Sequence, residues 1–331
     1  MLTNEKGIAL VLSLLIITIL VVLILDFSHT MQIDITMAGN FRDEIKAYYN
    51  AQSGINFAIA LLKEDAEDPE DPDDLSDDLT EYWAMSCDMP PLPIDEGYMS
   101  ICIVDENRKI NINNLNKKIE KEEKKEGGKK ETKEETKKDT KEDTKGIFKR
   151  FLTSKIDDED LSDDIINNIL DWIDEDDESQ TAEGAEQYYY ESLDPPYPCK
   201  NRGLDTISEL RLIKGIIEEK ILEKIEDIPE EVTIIEPGLM KYLTVYPVNE
   251  VGKININTAP PEIIKALSDN IDDNMAGEII EHRKETPFEK KTDFKEFIGD
   301  IETYNRIQDM IDVKSYYYSV DSIGEVNGIR K

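Results

Sequence analysis

Lys6-Gly7-Ile8-Ala9-Leu10-Val11-Leu12-Ser13-Leu14-Leu15-Ile16-Ile17-Thr18-Ile19-Leu20-Val21-Val22-Leu23-Ile24-Leu25 carries no charge after its lysine until Asp26. From Ile8 to Leu25, at 1.5 Å per residue, the run spans about 27 Å, close to the thickness of a bilayer core. Three readings compete. A cleaved secretory signal wants a shorter apolar core and a small-residue site after it, and none follows Leu25. A buried core helix does not need so long a charge-free run. A membrane helix over 8–25 fits. Lys6 precedes it, and no Lys or Arg follows from 7 to 41. This asymmetry puts the N-terminus in the cytoplasm and the bulk of the chain outside the inner membrane.

Outward from this run, no proline interrupts the chain from Ile8 to Asp68. Ala47, Ala51, Gly54, Ile55, Ala58 and Leu62 recur at three- and four-residue spacing and mark one helical stripe. A single helix of about 80 Å is predicted, half in lipid and half (26–63) as the spine of a soluble domain.

Lys6-Gly7-Ile8 before a long apolar helix resembles the processing site of type IV prepilins and type II secretion pseudopilins. The resemblance implies a leader over 1–7, cleavage by a prepilin peptidase after Gly7, and methylation of the new N-terminus at Ile8. Most of that family carry glutamate at the fifth mature position, where this chain has Leu12. Its absence is the habit of the minor pseudopilin K family. A charge at bilayer depth costs roughly 2.5–3.5 kcal/mol unless paired. A subunit at a fibre tip has no neighbour ahead to supply the partner, so an apolar Leu12 costs less there.

The chain has 331 residues, 39 Lys+Arg against 74 Asp+Glu, and a formal charge of -35. So acidic a chain repels phosphate backbones, and no nucleic-acid partner is expected. Three cysteines and two histidines exclude a disulfide-rich scaffold and a four-Cys zinc site, and argue against a Ser-His-Asp hydrolase. No nucleophile elbow, P-loop or dinucleotide fingerprint is present, and the chain reads as no enzyme. Cys87 and Cys102 flank a Pro-rich turn; a bridge there in an oxidising space and mere coincidence both remain open, and Cys199 is left single.

Residues 64–116 read as an acidic loop and then the first part of a sheet. Tyr98–Val104 alternates like a strand, and Lys109–Asn113 like its return. Residues 117–145 are almost wholly Lys, Glu, Asp, Thr and Gly, and form a low-complexity insert. Residues 146–240 read as an inserted helical domain, 241–313 as a strand with a second helical module, and 314–331 as a final strand, with a hairpin return beginning at Gly324. Lys109-Ile-Asn-Ile-Asn113 is echoed by Lys253-Ile-Asn-Ile-Asn257, each ahead of helical segments, which implies a duplicated module. The second copy resembles a helix-hairpin-helix, but its hairpin region, Leu267–Asn274, is acidic and lacks the phosphate-binding glycines. The fold class expected is α+β: a long N-terminal helix packed on an antiparallel sheet, with an inserted helical domain built of helix-hairpin-helix-like modules.

Leu161–Ile173 has helical periodicity and runs into Asp171-Trp-Ile-Asp-Glu-Asp-Asp-Glu178, then Ala182-Glu-Gly-Ala-Glu186. Converging carboxylates repel by about 1 kcal/mol at 4 Å in water and about 4 at an effective dielectric of 20, so a cation is expected among them. Oxygen-only donors suit Ca2+. Asp174, Asp176 and Glu186 are the first ligand candidates, with Asp171, Asp177 and Glu183 behind them. This tract and Pro195-Pro-Tyr197, Asn201-Arg202 and Ser208–Arg211 resemble the helical domain of the pseudopilin K family, whose members bind calcium there. The resemblance further implies a non-catalytic subunit that starts and caps a short periplasmic fibre, with I- and J-type minor pseudopilins and the major pseudopilin as partners. A tip pilin of a type IV pilus and a membrane-anchored DNA receptor of a competence system are the alternatives.

Overall fold

The computed structural model describes residues 5–66, 76–116, 143–182, 184–216, 238–248 and 251–331. In chain order the elements are α1 (Glu5–Ala66), β1 (Leu92–Ile94), β2 (Gly97–Asp105), β3 (Ile110–Asn111), α2 (Thr144–Ile156), α3 (Glu159–Ile173) and α4 (Gln187–Glu191). There follow β4 (Leu243–Thr244), β5 (Ile254–Asn255), α5 (Pro261–Ala266), α6 (Asp273–Glu285), α7 (Lys291–Ile298), α8 (Ile301–Ile307), β6 (Ile311–Asp312), β7 (Tyr318–Val326) and β8 (Ile329–Arg330). They fall into two compact units. One comprises Met1–Ala66, Ser86–Cys102 and Val320–Lys331, and the other Glu67–Met85 and Ile103–Ser319.

In the first unit, α1 is one helix of 62 residues, about 93 Å long. Its apolar part from Ile8 to Leu25 is exposed throughout. Ser13 and Thr18 turn their hydroxyls back onto the carbonyls of Leu10 and Leu15, so no polar group there lacks a partner. The sheet order is β1-β2-β7-β8, with antiparallel hairpins at both ends. Asn327-Gly328, both at positive φ, closes the last hairpin. That turn corrects the expected strand boundary: Gly324 lies inside β7, and the return begins at Ile329.

Small residues decide how α1 meets the sheet. Ala47 and Ala58 are fully buried, whereas Ile55 of the expected stripe is 43% exposed. A methyl group on Gly324 would stand 1.9 Å from the Ala47 carbonyl, so backbone meets backbone there. Large side chains are therefore excluded from the contact and point outward. Ser322 Oγ donates to Ala51 O at 2.7 Å, and Asn327 Nδ2 to Asp43 Oδ2 at 2.8 Å. Cys87 and Cys102 are joined by a disulfide.

The second unit holds the duplication, in a form the sequence reading did not foresee. Lys109–Asn113 is not the return of a hairpin. Instead β3 pairs in parallel with β4, and β5 in parallel with β6. Each copy thus opens on an Ile-Asn strand and closes on a strand parallel to it, with helices between, as a parallel pair requires. The asparagines explain why the repeat is so literal. Asn111 Oδ1 accepts from Asn113 N, and Asn255 Oδ1 from Asn257 N, both at 2.9 Å. The second asparagine then grips one distant residue by its backbone. Asn113 bonds both N and O of Leu204 (2.7 and 3.0 Å), and Asn257 both N and O of Phe288 (3.0 and 3.0 Å). Two residues beyond each gripped position the next turn begins, and an acid three residues further on caps it: Glu209 accepts from Thr206 N and Asp293 from Lys290 N.

One apolar core runs through both copies, including Phe148, Phe151 and Leu152 of α2, Ile166 of α3, Ile263 and Ile264 of α5, and Ile279 of α6. Asp105 at the end of β2 is 1% exposed and accepts from Thr258, Ser315 and Asn107 N. Burial, the largest cause, and neighbouring Asp77 push its carboxyl up to about 6. Of the low-complexity insert expected over 117–145, residues 117–142 lie outside the described residues, and its end is corrected because Asp143 caps α2, which begins at Thr144; 67–75 of the acidic loop and 217–237 of the inserted domain also lie outside the described residues.

Candidate metal centre

Helix α3 begins well and ends badly, in electrostatic terms. Asp158 caps its start by accepting from Leu161 N at 3.0 Å, and Glu159 and Asp160 sit in the first turn, where the helix dipole favours them. Its last turn carries Asp171 and no base, and the chain leaves the helix at Asp174 in extended conformation. Acids at a helix C-terminus oppose the dipole, so something else must hold them.

Asp171 is fully buried. Its Oδ1 accepts from Gln180 N at 2.8 Å and its Oδ2 from Ala185 N at 2.9 Å. The acidic loop therefore folds round Asp171 and returns Glu186 to the end of α3. Asp171, Asp174 and Glu186 each place one carboxylate oxygen within 4.8 Å of the other two. Asp174 Oδ2 accepts from Gln180 Nε2 at 3.1 Å, but its Oδ1 is buried without a partner. Glu186 is 7% exposed, and both of its oxygens are buried and unpartnered. Orphaned buried carboxylate oxygens are rare because each costs its full desolvation.

The charge states follow. Burial, then Asp176 and Asp171, push the Asp174 carboxyl up to about 6. Burial, then Asp171, Asp174, Asp177 and Asp176, push Glu186 up to about 8. Beside the group, Trp172 packs edge-on to Tyr190 at 4.8 Å, and Tyr190 lies 5.4 Å from Tyr197, an apolar surround that keeps the effective dielectric low.

Of the other acids expected here, Asp176 and Asp177 are exposed and outside the group of three. Asp176 Oδ1 accepts from Glu178 N, and Asp177 Oδ1 from Asn201 Nδ2, both at 2.8 Å. Glu183 lies outside the described residues. The sequence ranks Asp171 behind Asp176; in the structure Asp171, in the last turn of α3, is the residue the loop wraps and stands in the group of three, and Asp176 does not. The sequence also placed no cysteine nearby, yet Cys199 Sγ donates to Asp171 O at 3.8 Å. Burial, the largest cause, pushes that thiol up to about 11. No spacing rule would have found Cys199 or Asn201, which arrive from a separate segment.

In the first unit, Gly7 lies within α1, and Ile8 and Leu12 are 61% and 53% exposed on it.

Comparison with known proteins gives the same family at several levels. Residues 108–227 and 254–313 match two models described as type II secretion system protein K. The second match begins at β5 and ends just past β6. The type II secretion system protein K of Pseudomonas aeruginosa is 25% identical over 88% of this chain and 76% of its own. That of Aeromonas hydrophila is 25% identical over 99% of this chain and 91% of its own. The fold resembles a chain in the crystal structure of the GspK-GspI-GspJ complex from the enterotoxigenic Escherichia coli type 2 secretion system, with a TM-score of 0.63 at 19% identity, over 89% of this chain and 91% of that one. With the two model matches together taking in more than half its length, this chain belongs to the type II secretion system protein K family.

Proposed function

We propose that the chain is a non-catalytic minor pseudopilin that starts and caps the type II secretion pseudopilus, anchored in the inner membrane with its bulk in the periplasm. The observation that carries this reading is the exposed apolar N-terminal part of α1, Ile8–Leu25, with Leu12 where the wider family keeps a glutamate. Family membership supports secretion over a pilus or a DNA receptor. An apolar helix with no acid to neutralise lacks the group that a subunit ahead would pair with, which suits the end of a fibre. The partners on this reading are I- and J-type minor pseudopilins, as in the complex of the structural relative, and the major pseudopilin below them. A prepilin peptidase removes residues 1–7 and leaves Ile8 methylated.

The group of three carboxylates is the calcium site on this reading. Asp171, Asp174 and Glu186 would hold the ion, with the unpartnered oxygens of Asp174 and Glu186 as the observation that fits it. The ion supplies positive charge where burial has gathered negative charge. Asp171 fixes the loop through two backbone amides, so the site is assembled by the fold itself.

The position at the tip is tested by counting. Gold-labelled chain on sheared fibres is expected as one particle at one end; labels along the shaft would overturn the reading. Mass spectrometry of the membrane-extracted protein is expected to show an N-methylated terminus at Ile8, and an intact leader in cells with active peptidase would overturn the processing step.

A further inference from the structure

Asp77 and Asp105 are two buried acids of the second unit that the metal centre does not use, and one residue bridges them. Ser315 N donates to Asp77 Oδ2 and Ser315 Oγ to Asp105 Oδ2, both at 2.6 Å. Asn255 Nδ2 spans the pair, donating to Ser315 Oγ at 2.8 Å and to Asp77 O at 2.9 Å. Asn107 N reaches Asp105 Oδ1 at 2.7 Å, Thr258 Oγ1 donates to Asp105 Oδ2, and Tyr318 OH donates to Asp77 Oδ1 at 3.0 Å. The turn after β2 holds the same stretch again: Asn107 Oδ1 accepts from Tyr316 N at 3.0 Å and Tyr317 N at 3.1 Å. The cluster thus ties residues 315–318 to the end of β2 and to β5.

Two buried carboxylates on one serine repel, and burial disfavours the charged form of each. The charged groups around them do little to offset this. Arg108 attracts Asp105 without hydrogen-bonding to it. Glu106 and Lys109 pair with each other at 2.6 Å, as do Lys253 and Asp312 at 3.2 Å. Burial, then Asp77, Asp105 and Glu81, push the Tyr318 hydroxyl up, so it stays a donor. A proton on Asp105 also finds an acceptor. Thr258 Oγ1 lies 3.5 Å from Asn255 O, so its hydroxyl can turn to that carbonyl and accept from a protonated Asp105 Oδ2.

We propose that Asp105 is an acid-set latch: with its proton on, the cluster holds residues 315–318 firmly, and loss of the proton loosens them from β5 and the end of β2. Burial and Asp77 fix the working range, with the carboxyl raised from 3.8 to about 6. The folded value is the higher one. The latch is therefore fully set below the unfolded value and released as pH rises through about 6.

Hydrogen exchange of the full chain in detergent with chelator reads the latch at the amides of Ser315, Tyr316 and Tyr317. Their protection, corrected for each amide's intrinsic rate, is expected to fall roughly tenfold between pH 5 and pH 7 in the unsubstituted chain. Asp105→Asn imitates the protonated form, with its Nδ2 turned to Thr258, and is expected to keep the high protection across that range. A role in hydrogen bonding alone predicts instead an Asp105→Asn chain less protected at every pH. Asp77→Asn removes the repulsion and is expected to move the fall to lower pH. Protection that stays level from pH 5 to 7 in the unsubstituted chain, an Asp105→Asn chain that loses as much as it does or is less protected throughout, or a fall unmoved by Asp77→Asn would each overturn the latch. Should Asp105→Asn fail to fold, the unsubstituted and Asp77→Asn chains decide the matter by the same criteria.

Discussion

Replacing Glu186 by Gln should make the metal-free protein more stable at alkaline pH and less responsive to calcium. Both oxygens of Glu186 are buried and unpartnered, and its carboxyl is pushed up from 4.5 to about 8. The folded value lies above the unfolded one, so the folded chain holds the proton more tightly. Stability from this group is full below the unfolded value and is lost as pH rises through about 8. At 1.36 kcal/mol per pH unit, halved because neighbouring Asp174 is only half-buried, the ionised form costs about 2 kcal/mol. Glutamine keeps the shape and removes that cost. At pH 8.5 with chelator, the variant should melt about 4–8 °C above the unsubstituted chain, and at pH 5 the two should agree. Calcium at a hundred times its Kd should stabilise the unsubstituted protein by about 2.7 kcal/mol, and the variant by much less. Circular dichroism melts of the full chain in detergent, across pH with calcium or chelator, read all of this. A metal-free Glu186→Gln protein that melts no higher at pH 8.5, and still gains as much from calcium, would refute the electrostatic account of the site.

Two further changes probe the scaffold. Gly324→Val should destabilise the first unit by about 1–3 kcal/mol or more, seen as lost hydrogen-exchange protection in β7, because the added atoms meet the Ala47 carbonyl. Asn257→Ala should cost about 2 kcal/mol in urea unfolding by leaving the buried N and O of Phe288 unpaired, whereas a surface change such as Glu281→Ala should cost almost nothing.

The sequence by itself determined the parts that local chemistry controls. A charge-free run from Ile8 to Leu25 has to be a helix in lipid or a helix in a core. Small residues at Ala47, Gly54 and Ala58 announce a close contact. The Asn-Gly pair at 327–328 closes a hairpin because few other residues accept its dihedrals, though the strand leading into it was placed too short. The repeated Ile-Asn-Ile-Asn was visible as a repeat ahead of helical segments, since identical residues at identical spacing need no structure to be seen. Tertiary structure alone decided what those repeats pair with, because a parallel partner lies far along the chain and leaves no periodicity. It also decided which acids converge. In a segment with carboxylates at nearly every position, composition cannot distinguish Asp171, buried and wrapped by backbone amides, from Asp176, which faces water. Cys199 reaches the carbonyl of Asp171 only through the path of the folded chain, and a lone cysteine carries no signal until its neighbours in space are known.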